Sequence, residues 1–113
     1  MNTRRLGNLT LMRAIEVVTP FDPAVFFPET APEEWEPHEA WLKPHAMDPE
    51  SGLLLLYMQS YIVRTSRHTI LVDTCVGNHK ERPNRPAWHQ KTDDTYINAL
   101  RQHGIAPEDI DYV

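Results

Sequence analysis

Seven of the ten prolines fall between Thr19 and Glu50: Pro20, Pro23, Pro28, Pro32, Pro37, Pro44 and Pro49. Spacing this close leaves no room for a central strand or a long helix, because each proline lacks a backbone donor and restricts the residue before it. The same stretch, 19–50, carries Phe21, Phe26, Phe27, Trp35, Trp41 and Met47, which is too apolar for a free linker. It reads as a long loop packed down by its aromatic side chains. Short helical turns fit around Pro32 to Trp35 and Pro37 to Trp41, since proline is tolerated in a first helical turn. A loop this long inside a compact domain is usually functional or a flap.

Regular structure flanks this loop. Leu9 to Thr19 favours a strand through β-branched Ile15, Val17 and Val18, with a short helix over Leu11 to Ile15 as the alternative. Either element is expected to stop at Pro20 and Pro23. Residues 53–74 carry the clearest sheet signal. Leu53 to Thr65 and Thr69 to Thr74 are separated only by Ser66-Arg67-His68, which predicts a β-hairpin. Ile70-Leu71-Val72 is fully apolar, as for a strand buried on both faces. It gives way to Asp73-Thr74-Cys75-Val76-Gly77-Asn78, a strand ending in a polar loop. A helix is expected over 92–103, with Thr92 or Asp93 as N-cap, Tyr96, Ile97 and Leu100 on one face, and Gly104 just past its end. Residues 111–113 resemble the opening of a strand that has no continuation.

The chain has 113 residues, 41% hydrophobic and 24% charged, enough for one domain with a core and unlike a disordered chain. A net charge of −5 without a clustered basic surface argues against a nucleic-acid partner. The single cysteine, Cys75, excludes an internal disulfide. The longest apolar block, Leu53 to Met58, is far short of the ~20 residues a membrane helix needs. No signal-peptide pattern follows the basic N-terminus. The expectation is a cytoplasmic protein with no membrane partner.

Chemistry-bearing residues are sparse. Six histidines (His38, His45, His68, His79, His89 and His103) stand at none of the short spacings that aim two imidazoles at one ion, so no metal ligand is assigned. Cys75 at a strand end fits a small, half-buried residue better than a nucleophile. Asp73 is the best single candidate, because a carboxylate directly after an apolar strand is costly unless bonded, paired or near a metal. It either caps the following turn through backbone N–H groups or supports a site. No complete active site is present, and no catalytic residue is assigned.

The run Ser60-Tyr61-Ile62-Val63-Arg64-Thr65, then Thr69-Ile70-Leu71-Val72-Asp73-Thr74-Cys75-Val76-Gly77-Asn78, resembles the second hairpin of metallo-β-lactamase-fold hydrolases. Gly104-Ile105-Ala106-Pro107-Glu108-Asp109-Ile110-Asp111-Tyr112-Val113 is similar to that family's connection into the strand bearing its H-x-H-x-D-H metal motif. Arg82-Pro83, Trp88-His89-Gln90 and Glu33-Glu34-Trp35-Glu36-Pro37-His38 resemble the lactonase-like branch. The resemblance implies an α+β fold: the N-terminal part of an αββα sandwich, incomplete, with 1–113 a portion of one domain. It implies a parent hydrolase using one or two zinc ions on a small-molecule lactone, ester or phosphotriester. The H-x-H-x-D-H segment would begin within a few residues of Val113 and is not here. The chain alone is therefore expected to be inactive and not to hold zinc tightly. By resemblance, Asp73 supports the metal site without ligating it, and Cys75, Gly77 and Asn78 belong to the adjacent loop. Trp35, His38 and Trp41 belong to a loop bordering the substrate cleft. The competing reading is a non-enzymatic α/β interaction module whose contact surface is the aromatic loop 21–47.

Overall fold

A computed structural model describes residues 3–113. The fold is α+β, with a four-stranded sheet ordered β1-β2-β3-β4. Its strands are β1 (Arg4–Leu6), β2 (Leu9–Phe21), β3 (Leu54–Arg64) and β4 (Thr69–Val72). β1 pairs antiparallel with β2, Leu6 opposite Leu9, and Gly7 between them takes the φ of +59° that so short a connection requires. β3 and β4 form the hairpin, with Tyr61 opposite Val72 and Arg64 opposite Thr69.

The chain divides into two compact units, with the division falling within β2 and β3. The sheet unit contains residues up to Val17 together with Met58–Val113. Along β2 the alternation of a strand turns Met12, Ala14 and Glu16 inward. Met12 and Ala14 meet Ile62 of β3, Leu71 of β4, and Leu100 of α4 (Thr95–Arg101), with Ile105 completing the core. Ile62 is 0% exposed. Each of the larger side chains, Met12, Ile62, Leu71, Leu100 and Ile105, contributes about 1.5–3 kcal/mol by leaving water.

Helix α4 is shorter than the 92–103 expected. Asp94 stands at its N-cap with no side-chain bond, and Asp93, one residue earlier, accepts instead from the Thr95 N–H at 3.0 Å. Gly104 closes the C-terminal end with φ +68° and an N–H to Arg101 O bond of 2.8 Å. β4 is not buried on both faces as its apolar run suggested. Leu71 is buried but Val72 is 50% exposed, because the core residues of α4 cover one face only. Residues 111–113 do start a pairing: Tyr112 bridges Ile70 in parallel, and the Leu71 N–H donates to Tyr112 O at 2.8 Å.

The second unit, Val18–Tyr57, holds the proline-rich segment. Its helices are α1 (Pro23–Phe26), α2 (Pro32–Trp35) and α3 (Glu39–Leu42), with a 3-10 turn over Glu36–His38. Proline opens α1 and α2, where a missing donor costs nothing. Asp22 caps α1 by accepting from the Ala24 N–H at 2.9 Å, and Glu34 accepts from the Ala31 N–H at 2.7 Å. Leu42, Met47 and Leu54 form a small core with Trp35 and Ala46 against it. Contrary to expectation, β2 runs through Pro20 to Phe21. β1 pairs only with Leu9 to Leu11, so among the described residues this later part of β2 has no β1 partner, and proline is tolerated at such an edge.

Candidate functional site

The C-terminal end of β4 is where the sheet unit gathers its polar side chains. Two of them sit on core-facing strand positions that would ordinarily be apolar: Glu16, in register with Met12 and Ala14, and Ser60, in register with Ile62. Both are buried, and burial of a polar group demands partners.

Ser60 finds three. Its hydroxyl lies 2.6 Å from Asp73 O, 2.7 Å from the Tyr96 hydroxyl and 3.3 Å from Cys75 Sγ. A hydroxyl has one proton to give, and the carbonyl can only accept, so Ser60 donates to Asp73 O. Tyr96 O–H and Cys75 S–H then donate to the two lone pairs of Ser60 Oγ, which saturates it. Burial pushes the Cys75 thiol above its ordinary value, against the Ser60 hydrogen bond, and the carboxylates of Glu16 and Asp73 add to the rise. Burial likewise raises Tyr96. Both groups hold their protons at neutral pH. This environment makes Cys75 a hydrogen-bond donor and a poor nucleophile.

Glu16 Oε2 accepts from the Val76 N–H at 2.7 Å. Glu16 Oε1 lies 3.0 Å from Lys91 Nζ, a buried ion pair. Lys91 Nζ also reaches Asp93 Oδ1 at 2.6 Å. Burial works against the Lys91 charge, yet the hydrogen bond to Asp93 and the Glu16 carboxylate outweigh it and leave Lys91 above its usual value. The same hydrogen bond from Lys91, with help from Thr95, holds Asp93 down at about 2.

These groups fix an unusual backbone. Asp73, Cys75, Gly77 and His79, alternate residues, all take left-handed φ angles of 70°, 62°, 76° and 56°. Three of the four are not glycine, a conformation that persists only where the surroundings enforce it. Here the Cys75 N–H is held by Asp73 Oδ1 at 2.6 Å and the Val76 N–H by Glu16. Val76 O accepts from Arg82 at 2.7 Å, and Asn78 Nδ2 donates to Asp93 O at 2.7 Å. Two main-chain bonds, His79 N–H to Lys91 O and Gln90 N–H to Lys80 O, close the base of the next loop.

Asp73 thus caps its own turn, the first of the two roles considered for it, and its carboxylate is exposed. Cys75, Gly77 and Asn78 all lie on the loop so fixed. Glu16, Ser60, Lys91 and Tyr96 were not singled out as site residues in the sequence. Glu16 had a legible signal, a carboxylate at the inward position of a period-two strand, but Lys91 lies in a stretch with no periodicity. In the other unit His38 and Trp41 meet, Trp41 Nε1 donating to His38 Nδ1 at 3.3 Å. Trp35 is turned elsewhere, its Nε1 donating to Thr30 Oγ1 at 3.1 Å.

The residues present do not fit the zinc that the family resemblance implies. Among the described residues no group of three His, Cys, Asp or Glu converges to hold a metal ion. His89 Nδ1 is taken by the Arg82 N–H, and His103 Nε2 lies 2.8 Å from Arg13 O. Nor, among the described residues, is any helix long and apolar enough to cross a membrane.

No family description and no curated protein matches the chain. Among solved structures, the chain is similar to a crystal structure described as a probable metal-dependent hydrolase from Staphylococcus aureus, with a TM-score of 0.64 at 19% identity. The match covers 97% of this chain but 38% of that one, so the chain spans well under half the length of its structural neighbour. At this identity the likeness is one of fold: the α+β arrangement of this chain is shared with part of that protein.

Proposed function

We propose that the chain forms the N-terminal scaffold of a metal-dependent hydrolase of the metallo-β-lactamase superfamily, lactonase-like, acting on a lactone, ester or phosphotriester. The observation that carries the proposal is the fold likeness to a probable metal-dependent hydrolase over 97% of the chain. The strand-end sequence from Asp73 to Asn78 adds to it. In this reading one or two zinc ions are held by an H-x-H-x-D-H segment beyond Val113, and no step of the hydrolysis runs through residues of this chain. Its task is positional. Ser60, Tyr96, Glu16 and Lys91 fix the loop after β4, so that the exposed Asp73 carboxylate supports a metal ligand from outside the ligand shell.

A second reading has its own observation. Val25, Phe26, Phe27 and Trp41 are exposed large apolar groups within 21–47, which suits a binding module without enzymatic activity. The coding sequence after Val113 discriminates the two. An H-x-H-x-D-H motif within a few codons, with zinc-dependent lactone or phosphotriester hydrolysis by the extended product, supports the hydrolase. A natural stop with no such motif nearby favours the module.

A further inference from the structure

Within Val18–Tyr57 there is a cleft of about 330 Å³, near the lower end of the sizes that hold small ligands. We infer that this cleft is a binding site for a small organic cation carried on an apolar body, an alkyl- or quaternary ammonium. The inference uses only residues of this one unit.

Three observations converge. The walls are apolar and aromatic: the Trp35 indole, buried Met47 and Leu53 line the cleft. Aromatic faces attract cations, most strongly where water is excluded. The charged residues lining the cleft are of one sign: Asp22 and Glu39 come from different elements, beside the hydroxyl residues Thr30 and Ser51. Among the described residues no lysine or arginine lines it. Finally, the surroundings repeat this sign. Residues 18–57 carry eight carboxylates and one lysine, a formal charge of −7, whereas the rest of the chain has eight carboxylates and ten Lys or Arg, +2. A one-signed field around an apolar-walled cleft concentrates ions of the opposite sign.

The walls are also held in place before any ligand arrives. Trp35 is fixed through Thr30, whose hydroxyl donates to Phe27 O at 2.7 Å, and Phe27 packs on the Trp35 ring at 5.5 Å. Asp22 is held by its cap to Ala24. Glu39 is paired with Lys43, which reaches it from one turn later and acts as an internal competitor for the same carboxylate.

The test is a titration of the full chain with choline chloride at constant ionic strength, followed through the indole N–H signals of Trp35, Trp41 and Trp88. The Trp35 signal should shift and saturate at millimolar choline. The neutral isostere 3,3-dimethyl-1-butanol should bind on the order of tenfold more weakly. Asp22→Asn keeps the helix cap, and Glu39→Gln keeps the shape; together they should weaken choline binding severalfold. Lys43→Met, which frees Glu39, should tighten it. No saturable shift at Trp35, equal response to the neutral alcohol, or unchanged binding in the Asp22→Asn/Glu39→Gln variant would each overturn the inference.

Discussion

The two units of this chain reach order by opposite routes. In the sheet unit, Met12, Ala14, Ile62, Leu71, Leu100 and Ile105 come from distant parts of the sequence, and the polar groups among them are closed into a network. In Val18–Tyr57 the bonds are short-range. Asp22 caps Ala24, Glu34 reaches Ala31, Trp35 reaches Thr30 and Lys43 pairs with Glu39. Such bonds are exposed or only part-buried, and each is modest. The contrast implies that single changes in the sheet unit disturb many groups at once, while those in the proline-rich unit act locally.

The sharpest way to break that contrast is at Lys91. Lys91→Met leaves the Glu16 carboxylate buried without its counter-charge and should cost about 3–5 kcal/mol in chemical denaturation. Adding Glu16→Gln removes the stranded charge and should recover much of that loss. If the double variant is no better than Lys91→Met alone, the ion pair is not what Lys91 contributes. Ile62→Ala, at the centre of the core, should cost about 2–5 kcal/mol. Ser60→Ala strips a partner from Asp73 O, Tyr96 and Cys75 together and should cost about 1–3 kcal/mol. Trp35→Phe, the counterpart in the other unit, loses one hydrogen bond and should cost about 1 kcal/mol. A larger loss there than for Ser60→Ala would reverse the comparison.

The smallest effect is a titration. Asp93 has its folded value lowered from 3.8 to about 2, chiefly by the Lys91 hydrogen bond. A lowered carboxyl contributes stability that is fully present above 3.8 and is lost as pH falls through about 2. Its side-chain carboxyl carbon signal should show a midpoint near 2 in the parent and return toward 3.8 in Lys91→Met.

What the sequence made legible follows the same division. The β3–β4 hairpin could be read because two apolar runs flank Ser66-Arg67-His68, and α2 because Pro32 opens it. β1 escaped because Arg4, Arg5 and Leu6 are all exposed, and only Gly7-Asn8 marks its turn. The one-sided burial of β4 was hidden because a run of apolar residues looks the same whether one face is covered or two. At the strand end, Asp73 was legible by its position. Ser60 and Lys91 were not, because a serine in a strand and a lysine in a loop carry no local sign of burial; only the folded register brings Ser60 to Tyr96 and Lys91 to Glu16.

In the proposed hydrolase this chain supplies a fixed strand end, and the metal is held by other residues. Calorimetric titration of the purified 113-residue chain with zinc tests this most directly. Neither stoichiometric binding nor any change on replacing its histidines is expected. One equivalent of tightly bound zinc, lost on mutating those histidines, would contradict it.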